Sequence, residues 1–271
     1  MKKISVFGAT GFIGSRFCEM YPDDVIPIPR DANCAMSKDI LYLISTTHNY
    51  NLLQKDVAVN LGKLSSVLST LNFDVTFNFI SSWFVYGDNG EMYNGENSGR
   101  RPKGNYSFTK KQAEDLVMFY CEREKIPYRI FRLANVFGKG DKFSRKKNAL
   151  QYLINEMRHN RDIELYDGGE FYRDHIWVDD VCRILKAGME TFPVNDVYNV
   201  GSGKALVFKD LILMSHAVLG SKSKITSVEP SEFHKSVQVK SFMMGTEKIK
   251  KLGIELDSSP YEQLVRMILD E

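Results

Sequence analysis

The chain has 271 residues, 43% of them hydrophobic and 26% charged, with a formal net charge of +2. That length carries one large domain, or one domain with a smaller lobe. The near-neutral balance and the lack of a basic arm argue against a nucleic-acid partner, and no apolar run approaches the roughly 20 residues that span a bilayer. Cys18, Cys34, Cys121 and Cys182 form no CxxC pair and suit neither a zinc site nor a disulfide framework. They read as buried free thiols of a reducing compartment, so a cytoplasmic protein without a metal is expected.

In chain order, Ile4 to Phe7 reads as a buried strand ending at Gly8. The three residues Met1-Lys2-Lys3 look like a signal n-region, but the glycine-rich turn interrupts it, and no signal peptide is expected. Gly8-Ala9-Thr10-Gly11-Phe12-Ile13-Gly14 then leads into a helix marked by Phe12, Ile13, Phe17 and Met20. Glycines there let the backbone turn sharply against a pyrophosphate, and the helix start offers free N–H groups to the anion. The strand before it and the helix after it are the context that a dinucleotide site requires.

Asp24 to Ile28 is the second predicted strand, with Pro27 favouring an edge position. The position that often carries a ribose-binding acid holds Pro29, followed by Arg30 and Asp31. A guanidinium at Arg30 suits the 2′-phosphate of NADP(H). If Asp31 does the ribose work instead, with Arg30 a solvated loop residue, NAD(H) is the cofactor. Asp39 to Ser45 is the third strand, Asp56 to Leu71 an amphipathic helix, and Val75 to Ile80 the fourth strand.

Ser81 and Ser82 close that strand, where ligands sit in open α/β sheets. Tyr106-Ser107-Phe108-Thr109-Lys110 opens the next helix, and the i, i+4 spacing puts Lys110 near the base of Tyr106. A tyrosine of pKa about 10 is a slow proton carrier unless a neighbouring ammonium favours its phenolate. Ser82, with Ser81 as the alternative, would hold the reacting oxygen against Tyr106. Ala113, Leu116, Val117, Tyr120 and Cys121 mark the buried helix face, and Tyr128 to Leu133 is the fifth strand. Ala149 to Met157 and Val178 to Met189 read as helices and Asp196 to Val200 as a strand. Alternating strands and helices predict an α/β fold with a Rossmann-type, doubly wound parallel sheet.

These motifs resemble the extended short-chain dehydrogenase/reductases, the sugar-nucleotide epimerase/dehydratase/reductase group. The likeness spans nearly the whole chain: GATGFIG, Asn60, SSWFVYG, Pro102 to Lys110, Phe131 to Gly138, Arg173 to Asp180 and Tyr198 to Gly201. It implies a catalytic triad of Ser82, Tyr106 and Lys110. It implies cofactor contacts from Gly8, Thr10, Gly11, Phe12, Ile13, Gly14, Arg30, Ser45, His48, Tyr106, Lys110 and Leu133. His48 reads equally as a solvated or structural histidine. Substrate contacts would come from Asn135, from Arg173 on the diphosphate, from Lys240, and from Trp83 in the sugar pocket.

Arg173 can alternatively form a structural ion pair with Asp174 or Asp179. Trp83 and Phe84 either wall the pocket or fill the core. The run Arg145-Lys146-Lys147 is a candidate lid or a solvated loop. Residues 1–138 would form mainly the dinucleotide domain and 139–271 mainly a smaller C-terminal substrate lobe, with 174–203 returning to the first. The resemblance also implies a homodimer, made by a four-helix bundle of Asp56 to Leu71 and Tyr106 to Cys121.

Members that dehydrate the sugar carry an Asp-Glu pair where this chain has Trp83 and Phe84, and others carry an epimerising Cys at the Trp83 position. Both are missing, and the stretch from Arg30 to Asp39 is short, as in compact reductases of the group. The expected activity is NADPH-dependent reduction of a keto sugar nucleotide, a 4-keto-6-deoxyhexose. The alternatives are an epimerase that retains its cofactor and a cofactor-sensing module without turnover.

Overall fold

A computed structural model describes residues 3–46, 51–141, 148–256 and 259–270. Strand β1 (Ile4–Phe7) is buried throughout and runs through the glycine turn into helix α1 (Phe12–Met20). Strands β2 (Val25–Ile28) and β3 (Asp39–Tyr42) pair in parallel on either side of β1. Helix α2 (Leu53–Asp56) continues through a π-helical segment, Val57–Lys63, into α3 (Leu64–Leu68). Strand β4 (Thr76–Ser82) follows, then the short β5 (Tyr93–Asn94), the long α4 (Asn105–Glu124) and β6 (Tyr128–Leu133).

The order continues with β7 (Asn135–Phe137), α5 (Ala149–Arg158), β8 (Ile163–Tyr166), β9 (Tyr172–Arg173), β10 (His175–Trp177), α6 (Val178–Thr191) and β11 (Asp196–Val200). The last segment holds β12 (Leu206–Val207), α7 (Phe208–Leu219), β13 (Ile225–Val228), α8 (Glu232–Val237), β14 (Met243–Met244), α9 (Glu247–Lys251) and α10 (Pro260–Asp270).

The central sheet has six parallel strands in the order β11-β6-β4-β3-β1-β2. Both faces are covered, which is why its strands are apolar runs without alternation. On one face α1 and α6 bury Phe17, Val181, Cys182 and Leu185 against Val6, Ile80 and Phe131. On the other, α3 and α4 bury Leu64, Val67, Ala113 and Val117 against Phe7, Phe77, Phe79 and Ile130. A separate apolar cluster is built from α5, β8, α7 and α10 around Leu150, Ile154, Phe208, Leu211 and Leu264. Although it lies late in the chain, β11 returns to the edge of the main sheet beside β6.

Several predicted boundaries shift. The third strand ends at Tyr42 rather than Ser45, because the backbone N–H of Thr46 is taken by Asn60 instead of a strand neighbour. The fourth extends to Ser82, since Ser81 and Ser82 pair with Arg132 and Leu133. The helix predicted from Asp56 begins at Leu53 and ends at Leu68. All four cysteines are free, but Cys34 is exposed and Cys18 half-buried, so the reading of buried thiols fits only Cys121 and Cys182. Among the described residues, no helix is long and apolar enough to cross a membrane.

Candidate active site

The turn after β1 is shaped by what a side chain would hit. Gly8 has φ +85°, and a Cβ on Gly14 would stand 2.2 Å from the Gly8 carbonyl oxygen. The first turn of α1 therefore lies directly on the phosphate turn. Gly11 at the helix N-cap has no side chain to cap it, and Gly11 N–H donates to Gly8 at 3.0 Å. Gly11 thus brings no capping side chain to the first turn of α1, and Thr10 stands exposed beside it. An uncapped helix start against a cradle that a Cβ would fill fits a pyrophosphate. Phe12 and Ile13 are half-buried and pack into the core beneath the turn.

At the end of β2, Ala32 N–H donates to the Pro29 carbonyl at 3.1 Å, so Arg30 and Asp31 are the two central residues of a tight turn. Both are exposed. His48 and the run from Arg145 to Lys147 lie outside the described residues.

The carboxyl ends of β3 and β4 and the start of α4 converge. Ser82 ends β4, nearly buried, and its hydroxyl accepts from Phe84 N–H at 3.4 Å. Tyr106, half-buried in the first turn of α4, sets its phenol beside the Ser82 and Ser45 hydroxyls. Loss of water around the phenol raises it above its ordinary range, while the two hydroxyls act the other way. Lys110 lies one turn on, 2% exposed, and donates to the Ile80 carbonyl at 2.6 Å, its ammonium 4.3 Å above the Phe79 ring. Burial pulls it down to about 7. The ammonium thus addresses the β4 backbone, one helical turn from the Tyr106 phenol. The Ser81 hydroxyl is buried without a partner among the described residues, on the strand face opposite Ser82.

One amide holds these pieces in register. Asn60 is 2% exposed in the middle of the π-helical segment, a distortion common at functional sites. Its Oδ1 accepts from Ser45 Oγ at 3.0 Å and Thr46 N–H at 2.9 Å. Its Nδ2 donates to Thr46 Oγ1 at 3.0 Å and Thr109 Oγ1 at 2.9 Å. The end of β3, the π segment and α4 are fastened at one point.

Arg173 settles a choice that the sequence left open. Asp174 accepts from Ser202 N–H (2.8 Å), Ser202 Oγ (2.7 Å) and Gly203 N–H (3.0 Å), and Asp179 is bonded to Arg16 at 2.6 and 2.8 Å. Arg173 pairs with neither. Its guanidinium donates to the carbonyls of Tyr172, Val239 and Lys240 and lies between the Trp83 and Phe171 rings, 5.5 and 4.7 Å away. It is a cation without a carboxylate among the described residues, and burial pulls it down to about 10.

The remaining predicted residues fall unevenly around it. Trp83 is 2% exposed and packs on Phe84 and Phe242, so it fills the core. The half-buried Phe84, edge-on to Tyr106 at 5.9 Å, is the ring that faces the catalytic end. Asn135 Nδ2 donates to the Asp174 carbonyl at 3.0 Å, beside Arg173. Leu133 ends β6 opposite Ser82. Lys240 is exposed and meets Arg173 through its backbone carbonyl, not its ammonium.

Sequence reading missed the buried network beneath the triad. Glu114, fully buried one turn beyond Lys110, accepts from Arg132 at 3.0 and 2.8 Å and from Arg100 at 3.0 Å. Arg132 also donates to Tyr86 Oη and the Glu96 carbonyl, each at 3.0 Å, and Tyr86 donates to Asn199 at 2.5 Å. The available signal was the spacing of Glu114 from Lys110, which puts both on one helix face. Nothing local pointed to its partner 18 residues away.

Residues 44–201 match the model of the NAD dependent epimerase/dehydratase family. A dTDP-4-dehydro-6-deoxyglucose reductase of Escherichia coli is 23% identical over 54% of this chain and 46% of its own length. A dTDP-D-glucose 4,6-dehydratase of Mus musculus is 24% identical over 74% of this chain and 68% of its own. Among solved structures, a UDP-glucose 4-epimerase of Thermotoga maritima with UDP-glucose superposes with a TM-score of 0.89 at 21% identity, covering 98% of this chain and 97% of that one. RMD from Pseudomonas aeruginosa complexed with NADPH gives 0.85 at 19% identity, covering 100% and 98%. The glycine turn, the convergence of Ser82 with Tyr106 and the family match over more than half of the chain lead to one conclusion: the protein belongs to the NAD-dependent epimerase/dehydratase family, the extended short-chain dehydrogenase/reductases that modify sugar nucleotides with a nicotinamide cofactor.

Proposed function

We propose that the protein is an NADPH-dependent reductase of a keto sugar nucleotide, a 4-keto-6-deoxyhexose being the preferred substrate. The observation that carries this reading is the Tyr106 hydroxyl set beside Ser82 at the carboxyl end of β4, with Trp83 and Phe84 where a dehydrating acid pair would stand. The nicotinamide, when bound, supplies the hydride. Ser82 holds the substrate carbonyl oxygen, and Tyr106 gives that oxygen its proton. Lys110 steadies the phenolate left behind, and Asn60 keeps Ser45 and α4 in place around it.

Gly8, Gly11 and Gly14 would hold the cofactor pyrophosphate at the start of α1. Arg30, exposed at its turn, would take a 2′-phosphate and favours NADP(H) over NAD(H). Arg173 would exchange its carbonyl partners for the sugar-nucleotide diphosphate, a stronger acceptor, with Asn135 beside it. The apolar cluster around α5, α7 and α10 would form the substrate lobe. The exposed Leu53, Val57, Phe108 and Phe119 on the two helical segments support a homodimer through paired helices.

The test is NADPH oxidation with a panel of dTDP-, CDP-, GDP- and UDP-linked 4-keto-6-deoxy sugars. Stoichiometric oxidation that vanishes in Tyr106→Phe is the expected result. A second reading, a cofactor-retaining epimerase, draws support from the epimerase at TM-score 0.89. Protein that keeps its cofactor through purification, oxidises no NADPH and isomerises a sugar nucleotide would establish that reading instead.

A further inference from the structure

Residues 29–38 cross over β1 from the top of β2 to the bottom of β3 without a helix. Parallel strands are ordinarily joined by a dozen or more residues that include one. A crossover without a helix leaves its own carbonyls unpaired, and here side chains take them up. Ser5 Oγ meets Ser37 Oγ at 2.7 Å and accepts from Met36 N–H at 2.8 Å at the far end. Thr70 Oγ1 donates to the Asn33 carbonyl at 3.1 Å. At the near end the work falls to one residue, Lys63, at the end of the π-helical segment. Its ammonium donates to Asn33 Oδ1 at 2.7 Å, to the Ala32 carbonyl at 2.8 Å and to the Asp31 carbonyl at 3.3 Å.

Those acceptors are the residues immediately after Arg30, in the turn closed by Ala32 N–H on Pro29. The turn stands where the adenosine ribose of a dinucleotide lies in this architecture. Lys63 therefore does two things there. It fixes the backbone on which Arg30 is presented, so that less side-chain and loop freedom is lost when a phosphate binds. It also adds a second positive charge to the turn that presents Arg30, which favours an anionic phosphate there.

We propose that Lys63 is a positioning residue that sets cofactor choice, holding the Arg30 turn in the form that accepts a 2′-phosphate. The inference rests on the NADP(H) reading above and deepens it. It is tested without turnover, by calorimetric titration of the full chain with 2′,5′-ADP and with 5′-ADP, which differ only in that phosphate. The wild type is expected to bind 2′,5′-ADP the more tightly. Lys63→Met should lose about tenfold in affinity for 2′,5′-ADP and less than about twofold for 5′-ADP. Lys63→Arg, which keeps the charge and the donors, should restore the difference, with thermal melts confirming that each variant folds. Equal losses for both nucleotides in Lys63→Met, or no loss at all, would overturn the inference while Arg30→Ala still abolished the preference. Equal affinities in the wild type would overturn the NADP(H) reading itself and this inference with it.

Discussion

At the carboxyl edge of the sheet, Ser45 and the start of α4 are held by side chains from neighbouring elements, through Asn60 and Thr109. On β9, Arg173 is held by backbone carbonyls of residues 172, 239 and 240 and by two aromatic faces. The first arrangement is fixed by side chains of the protein itself, the kind of positioning that proton transfer requires. The second leaves a cation on neutral acceptors, for which the proposed diphosphate would compete through charge-assisted bonds roughly twice as strong. The two regions divide the labour: one is built for position and the other for exchange.

The comparison breaks hardest at Tyr106. Tyr106→Phe removes the proton donor and leaves the ring in place, so turnover should fall about 10²–10⁴-fold with cofactor affinity unchanged. Single-turnover NADPH oxidation beside a binding titration checks both halves of that statement. A parallel fall in affinity would show that the ring, not the proton, was lost.

Beneath the site, Glu114→Gln unpairs Arg132 and Arg100 at a fully buried carboxylate. Breaking such a network costs about 3–5 kcal/mol, so the melting temperature should drop by roughly 10 °C. A change of under about 2 °C would mean that the network adds little rigidity to the catalytic edge.

On β9, Arg173→Met removes the cation and keeps the contacts with Trp83 and Phe171. Affinity for a nucleoside diphosphate sugar should fall about 10–100-fold, with NADPH binding untouched. Loss of both affinities would erase the distinction between the two regions.

The smallest effect concerns Lys110, whose folded value of about 7 lies below its ordinary 10.5. The unfolded chain then binds more protons than the folded one between those values, so stability rises with pH across that window. The penalty for burying the charge is fully present below about pH 7 and is gone near pH 10.5. In cofactor-free protein, Lys110→Met should raise the melting temperature by a few degrees at pH 6 and by less at pH 9. A shift that does not vary with pH would place the ammonium in a solvated setting.

Much of this was legible along the chain because its cause is local. The glycine turn, the Ser82 strand end and the Tyr106/Lys110 spacing each sit within a few residues of one strand or helix terminus. Hydrophobic runs marked β1, β6 and β11 to the residue. Less legible were α7 and α10, whose apolar faces take their meaning only from the second cluster that they build together. The π-helical segment was invisible, because it depends on which partner Asn60 finds. The aromatic pair at 83 and 84 was ambiguous for a similar reason: burial separates Trp83 from Phe84, and burial is a property of the packed molecule.

The sequence by itself determined the order of the motifs, the glycine turn and the residue types offered for a triad, since periodicity, glycine geometry and i, i+4 spacing act over a few residues. Tertiary structure alone decided that Arg173 meets no carboxylate among the described residues, that Glu114 meets Arg132 and that Lys63 braces the Arg30 turn. Partner choice and desolvation depend on groups brought together from distant parts of the chain, and no local pattern encodes which of several available charges a folded core will place side by side.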